Sequence, residues 1–208
     1  MIETYLRDFV QPLFDALGRV LIALRLSPNT ITFFALVSGL AAAYCIATNN
    51  VPAAFALMLL SGLWDIMDGT VARLTHNAQK IGAYMDLIVD RLVESFIILG
   101  FYLLSPEHAL AYLICMTAIF FHFSTFIVAG ALFTNTSKKS MHYDKSIIER
   151  TEAFVAFGLM MWYPAYIFEV LMVFSVATAL SGVARFFSVW WSTQQAKTIR
   201  KKKKNALA

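Results

Sequence analysis

Between Ala109 and Thr134 the chain carries no Asp, Glu, Lys or Arg, and the same holds from Asn29 to Thr48 and from Val170 to Ala184. About 20 consecutive apolar residues are enough for a helix to cross the hydrocarbon core of a bilayer. Lipid offers no hydrogen bonds, so such a run satisfies its backbone internally by coiling into a helix. Charged residues make up 14% of the chain, against about 25% in soluble domains, so the apolar excess exceeds what a water-soluble core absorbs. The chain reads as an all-α integral membrane protein.

Hydropathy and turn residues divide it into six transmembrane helices, over 29–48, 51–73, 82–104, 109–134, 150–168 and 170–193. Ahead of them, residues 1–27 hold apolar side chains at helical spacing with Arg7, Asp8, Asp15, Arg19 and Arg25 between, the pattern of an N-terminal amphipathic helix lying on the membrane surface. Ser27-Pro28-Asn29 breaks that helix and opens the membrane domain, 28–193, and a basic tail follows over 194–208. An even number of spans puts both termini on one side, together with Arg73, Lys80, Lys138, Lys139, Lys145 and the Lys201–Lys204 run. The opposite connections, 49–52, 105–108 and 162–169, contain no Lys or Arg. The positive-inside rule then places the termini in the cytoplasm, in a cytoplasmic or inner membrane. The basic tail suits anionic headgroups, and no nucleic-acid motif accompanies it. Cys45 and Cys115 sit in apolar runs and indicate no disulfide framework.

Carboxylates are costly at membrane depth and are usually functional there. The second span is apolar from Val51 to Trp64 and then reaches Asp65 and Asp68; the third carries Asp86 and Asp90, followed by Arg91 and Glu94. Spacings of three and four residues put each pair on one helix face. The two spans are joined by a short loop, and both pairs lie about one or two turns from it, at a common depth. Four facing carboxylates repel, and a hard divalent cation resolves the conflict. Oxygen-only ligation favours Mg²⁺ or Mn²⁺ over Zn²⁺. Gly69, Ala72 and Gly82 continue these faces without side-chain bulk. They leave room for a ligand or, on the structural alternative, permit close helix packing. Arg73 suits a phosphate or nucleotide contact and equally a topological anchor.

Asp65-x-x-Asp68-Gly69-x-x-Ala72-Arg73, eight residues, then Gly82-x-x-x-Asp86-x-x-x-Asp90 resembles the full signature of the CDP-alcohol phosphatidyltransferases, at all eight positions over 26 residues. The resemblance implies a metal-dependent enzyme of phospholipid biosynthesis. Such an enzyme transfers the phosphatidyl group of a CDP-activated lipid such as CDP-diacylglycerol to a small alcohol acceptor and releases CMP. It implies that Asp65, Asp68 and Asp86 are the main metal ligands, that Asp90 lies near a second metal and acts as general base, and that Gly69, Arg73 and Gly82 line the CDP pocket. Asn29 and Thr32 resemble polar residues that open the first span in many members and approach the nucleotide or metal; for Asn29, a helix N-cap is the alternative. Homodimers are common in the family. Members using inositol phosphate or glycerol 3-phosphate have cationic pockets, and Lys138, Lys139, Arg150 and Arg185 are candidates for one here. Arg185 is the most pointed of these because it interrupts an otherwise apolar span. The rival reading of intramembrane carboxylates is an ion or proton-coupled transporter. Against it, the acidic cluster lies near one face and no polar line continues through the later spans.

Overall fold

The computed structural model describes residues 2–76, 79–132 and 150–206, and the side chains of 11–76, 79–132 and 150–194. Among these residues there are helices and no strand. They fall into two compact units, Met1–Glu107 and His108–Ala208.

The first unit holds α1 (Ile2–Ala23), α2 (Pro28–Ala47), α3 (Val51–Leu74) and α4 (Lys80–Leu104). α1 is amphipathic and packs Phe14, Leu21 and Ile22 against a small core of Ile31, Met67 and Val71. Leu13, Leu17 and Val20 of α1, with Leu24 just past its end, form an exposed stripe suited to a bilayer surface. The chain leaves α1 through Arg25 at φ 59°, with Leu26 N–H donating to Leu21 O and Arg25 N–H to Ile22 O. That is a Schellman closure built without glycine. Ser27 then caps α2, accepting from Thr30 N–H at 3.2 Å, with Pro28 in the first turn where a missing N–H costs nothing. α2 closes the same way at Asn49, φ 57°, and Asn50 caps α3.

α2 is the packing centre of this unit, in contact with both α3 and α4, whereas α3 and α4 make few direct backbone approaches. Ser61 Oγ of α3 donates to Ala35 O of α2 at 2.8 Å, which satisfies a fully buried hydroxyl. On the other side, a Cβ on Gly39 would come within 2.6 Å of Val93, and one on Gly100 within 2.5 Å of the Ala43 carbonyl oxygen. Small residues at these two positions let α2 and α4 approach closely. The separation left between α3 and α4 opens the site described below.

The second unit holds α5 (Ala109–Leu132), α6 (Arg150–Trp162) and α7 (Ile167–Ala206), with α7 packed on both others. A Cβ on Gly182 would meet the Phe121 ring at 2.8 Å, and Phe157 of α6 packs on Phe174 of α7 at 5.9 Å. Two boundaries differ from the sequence reading. The break between the last two helices falls at Tyr163–Tyr166, inside the expected connection 162–169, where Pro164 starts a single 3-10 turn, so Ile167 and Phe168, expected to end the fifth span, begin α7. Pro lacks the N–H that would have continued α6. Likewise α7 runs on to Ala206 through the basic segment, where Lys, Arg and Gln are good helix formers.

Among the described residues, four stretches are long and apolar enough to cross a membrane: Pro28–Ala47, Val51–Leu74, Pro106–Leu132 and Pro164–Gln194. α4 is 25 residues long but carries Asp86, Asp90, Arg91 and Glu94, and α6 has 13 residues.

Candidate functional site

The acidic residues of α3 and α4 meet across the gap between those helices. One carboxylate oxygen each from Asp65, Asp68 and Asp86 lies within 4.8 Å of the others. At that distance two bare carboxylates repel by roughly 3–4 kcal/mol at an effective dielectric of about 20. A cluster of this kind suits a divalent cation. Its all-oxygen donor set fits Mg²⁺ or Mn²⁺. Asp68 is buried, and Thr32 Oγ1 of α2 donates to its Oδ2 at 2.5 Å. Asp65 and Asp86 are partly exposed, so an ion has a route in. Asp90, one turn beyond Asp86 on α4, is not in this group.

Beside the carboxylates lies a cavity of about 380 Å³, within the range of about 300–1,000 Å³ of small-ligand sites. Asn29 and Thr32 of α2, Gly69, Ala72 and Arg73 of α3 and Gly82 of α4 all line it, together with Asp68 and Asp86. Ser27, Pro28, Gln79 and Ala83 complete the wall and were missed by sequence reasoning. Pro28 and Ala83 adjoin residues that reasoning did single out, Asn29 and Gly82, and that adjacency was the available signal for those two. The N-cap alternative for Asn29 falls away, because Ser27 caps α2 and leaves Asn29 in the cavity wall.

The packing alternative for Gly69 and Gly82 can be weighed by geometry. A Cβ on Gly82 would meet its nearest atom, Asn29 Oδ1, at 3.6 Å, an ordinary contact; on Gly69 it would meet Arg73 Nη1 at 3.3 Å. Neither position is squeezed by a neighbouring backbone, unlike Gly100. The missing side chains at Gly69 and Gly82 enlarge the cavity. Arg73 is steadied by Thr70 Oγ1, which accepts from its Nη2 at 3.0 Å.

The remaining expected residues lie elsewhere. Arg150 heads α6 with its guanidinium 5.3 Å from the Phe154 ring centre. Arg185 of α7 reaches α5, donating from Nη1 to His122 O at 3.3 Å and lying 5.3 Å from the Phe126 ring centre. Lys138 and Lys139 fall outside the described residues. Sequence reasoning also passed over the pairing of Arg91 with buried Glu94 at 2.7 Å, a turn deeper on α4.

The family model for CDP-alcohol phosphatidyltransferase matches residues 25–190. The inner membrane protein YnjF of Escherichia coli strain K12 is 28% identical over 198 residues, covering 91% of this chain and 94% of that protein. The archaetidylinositol phosphate synthase of Pyrococcus horikoshii is 31% identical over 90 residues, 43% of this chain and 47% of that one. Among solved structures, the phosphatidylinositol phosphate synthase PgsA1 of Mycobacterium tuberculosis with CDP-DAG bound has a TM-score of 0.73 at 20% identity, covering 86% of this chain and 94% of that one. The same enzyme in complex with manganese and citrate gives 0.72, also at 20% identity. At that identity the likeness speaks to the fold.

Proposed function

The chain belongs to the CDP-alcohol phosphatidyltransferase family, and from that premise we propose that it moves the phosphatidyl group of CDP-diacylglycerol onto a phosphorylated alcohol of the inositol phosphate or glycerol 3-phosphate class, releasing CMP. The observation that carries the reading is the convergence of Asp65, Asp68 and Asp86 beside a cavity lined by small residues, neutral polar residues and Arg73.

In this reading Asp65, Asp68 and Asp86 would hold one divalent cation, and Asp90 would serve a second. Bound there, Mg²⁺ or Mn²⁺ offsets the charge of the diphosphate and of the departing CMP. Gly69, Ala72 and Gly82 leave space for the nucleotide, Arg73 donates to a phosphate oxygen, and Asn29 and Thr32 face the cytidine side. Asp90 takes the proton of the acceptor hydroxyl as its oxygen attacks the lipid-bearing phosphorus. The new P–O bond forms as the bond from that phosphorus to the bridging oxygen breaks, and CMP leaves with the electron pair. The attack is a single displacement, so the kinetics are sequential, and isolation of a phosphatidyl-enzyme would overturn the scheme.

Two relatives, the synthase of P. horikoshii and its namesake in Methanothermobacter thermautotrophicus, are named for an inositol phosphate product, which supports a phosphorylated acceptor. Arg150 and Arg185, with Lys138 and Lys139, are the proposed phosphate contacts. Arg185→Ala then raises KM for the acceptor about tenfold or more, the scale of a lost charge-assisted contact, with little change for the CDP-lipid; equal effects on both would remove Arg185 from the acceptor site. We further propose six spans, with α4 crossing despite its charges, both termini and the site at the cytoplasmic face, and a homodimeric assembly. The excess of Lys and Arg on one side of the six-span arrangement supports that sidedness.

The deciding experiment is CMP release by the purified protein with CDP-diacylglycerol and Mn²⁺ across inositol phosphate, glycerol 3-phosphate and serine. Release that depends on metal and on a phosphorylated acceptor supports the proposal. No release with any acceptor would sink it.

A further inference from the structure

Thr32 lies on α2, whereas the three clustered carboxylates lie on α3 and α4. Its hydroxyl has one proton and two acceptors in reach: Asp68 Oδ2 at 2.5 Å and, one turn back on its own helix, Pro28 O at 3.1 Å. Back-bonding to the preceding turn is the ordinary habit of a helical Thr. The contact with Asp68 is shorter and falls within the range of charge-assisted O–H···O⁻ bonds. Both partners are buried, Thr32 at 3% and Asp68 at 7% exposure, so the bond works in poorly solvated surroundings.

We infer that Thr32 is a positioning residue for the metal site: its hydroxyl fixes the plane of the Asp68 carboxylate and so sets where that carboxylate presents its ligand oxygen. This rests on the proposed metal-dependent reading of the cluster. A carboxylate on α3 has free rotation about its terminal bond unless something holds it. Thr32 holds it from a helix that carries none of the clustered carboxylates. The Cγ2 methyl and the β-branch restrict χ1, so the hydroxyl itself has few alternatives. Partners of this kind orient ligands and raise metal affinity by about 10–100-fold. The bond also ties the metal site to α2, the helix on which both α3 and α4 pack.

A purely structural role would make Thr32 glue between α2 and α3, as Ser61 is on the same interface. The two roles differ in what they leave behind. Glue sets stability; a positioning bond sets metal affinity at constant fold.

The test is direct Mn²⁺ binding, read as free Mn²⁺ by electron paramagnetic resonance, on the full-length detergent-solubilised protein without CDP-lipid. Thr32→Val keeps the shape and removes the donor, and is expected to weaken Mn²⁺ binding about 10–100-fold. Thr32→Ser restores the donor and is expected to stay within about threefold of the parent, a margin small against that loss. Thr32→Ala gives the same reading as Val if the Val protein does not fold. Unchanged Mn²⁺ binding in Val or Ala, or equal loss in Ser and Val, overturns the inference. If the parent protein itself binds no Mn²⁺, the metal-site reading fails, and this inference with it.

Discussion

Gly82 and Gly100 are on the same helix and serve opposite ends. A side chain at Gly100 would collide with the Ala43 carbonyl oxygen, whereas one at Gly82 would meet only Asn29 Oδ1 at ordinary distance. Within the protein, alanine at position 82 is therefore tolerated, and its better helix propensity offsets any small strain by up to about 1 kcal/mol. The methyl, however, enters the cavity. Gly82→Ala is expected to melt at or above the parent temperature while KM for the CDP-lipid rises about tenfold, the effect of roughly 1.4 kcal/mol of lost binding. A loss of stability with unchanged KM would return Gly82 to a packing role. Asp90→Asn addresses the other end of the chemistry. An amide cannot accept the acceptor's proton, so CMP release falls by about 10²–10⁴-fold, the usual weight of a general base. Normal turnover in that variant would remove Asp90 from the mechanism.

At the scale of helices, the sequence disclosed which segments are helical better than which helices touch. α2, α5 and the Val170–Ala184 part of α7 are legible as charge-free runs, and helical spacing set Asp65 and Asp68 to face Asp86 and Asp90, of which the structure gathers the first three. What periodicity cannot convey is partner choice. The expected pairing was α3 with α4, yet both lean on α2, and the acidic groups meet across a gap and not along a packed seam. The bond from Thr32 to Asp68 joins residues 36 apart in sequence and follows from that arrangement alone. Gln79 and Ser27 enter the cavity wall for the same reason, because a loop position says little until three helix ends are brought together. The break at Pro164 lies inside the connection expected over 162–169, and the proline was the signal for it. The α2–α4 contact gives its own prediction. Gly100→Ala forces a methyl against backbone and is expected to destabilise by about 1–3 kcal/mol, seen as a lower melting temperature with chemistry intact in the surviving fraction. Parent-like stability would mean that α4 shifts freely on α2.

For the molecule as a whole, the acidic group sets a tension that folding alone does not remove. Three carboxylates converge within the first unit, and without a cation their repulsion opposes the packing of α3 and α4 on α2. Neutralising one of them reverses the sign of that term. In a chelator, Asp86→Asn is expected to melt higher than the parent, because an amide both lacks the charge and can donate to its neighbours. On adding Mn²⁺ the order inverts. A ligand that binds only the folded state stabilises by RT ln(1 + [L]/Kd), about 2.7 kcal/mol at a hundredfold excess over Kd, and only the parent retains the full donor set. Mn²⁺ therefore raises the parent's melting temperature and leaves that of Asp86→Asn nearly still. CMP release by the parent stops in chelator and returns with Mn²⁺ or Mg²⁺. An equal Mn²⁺ shift in both proteins would mean that the ion stabilises through some other surface, and the convergence of Asp65, Asp68 and Asp86 would then need a different explanation.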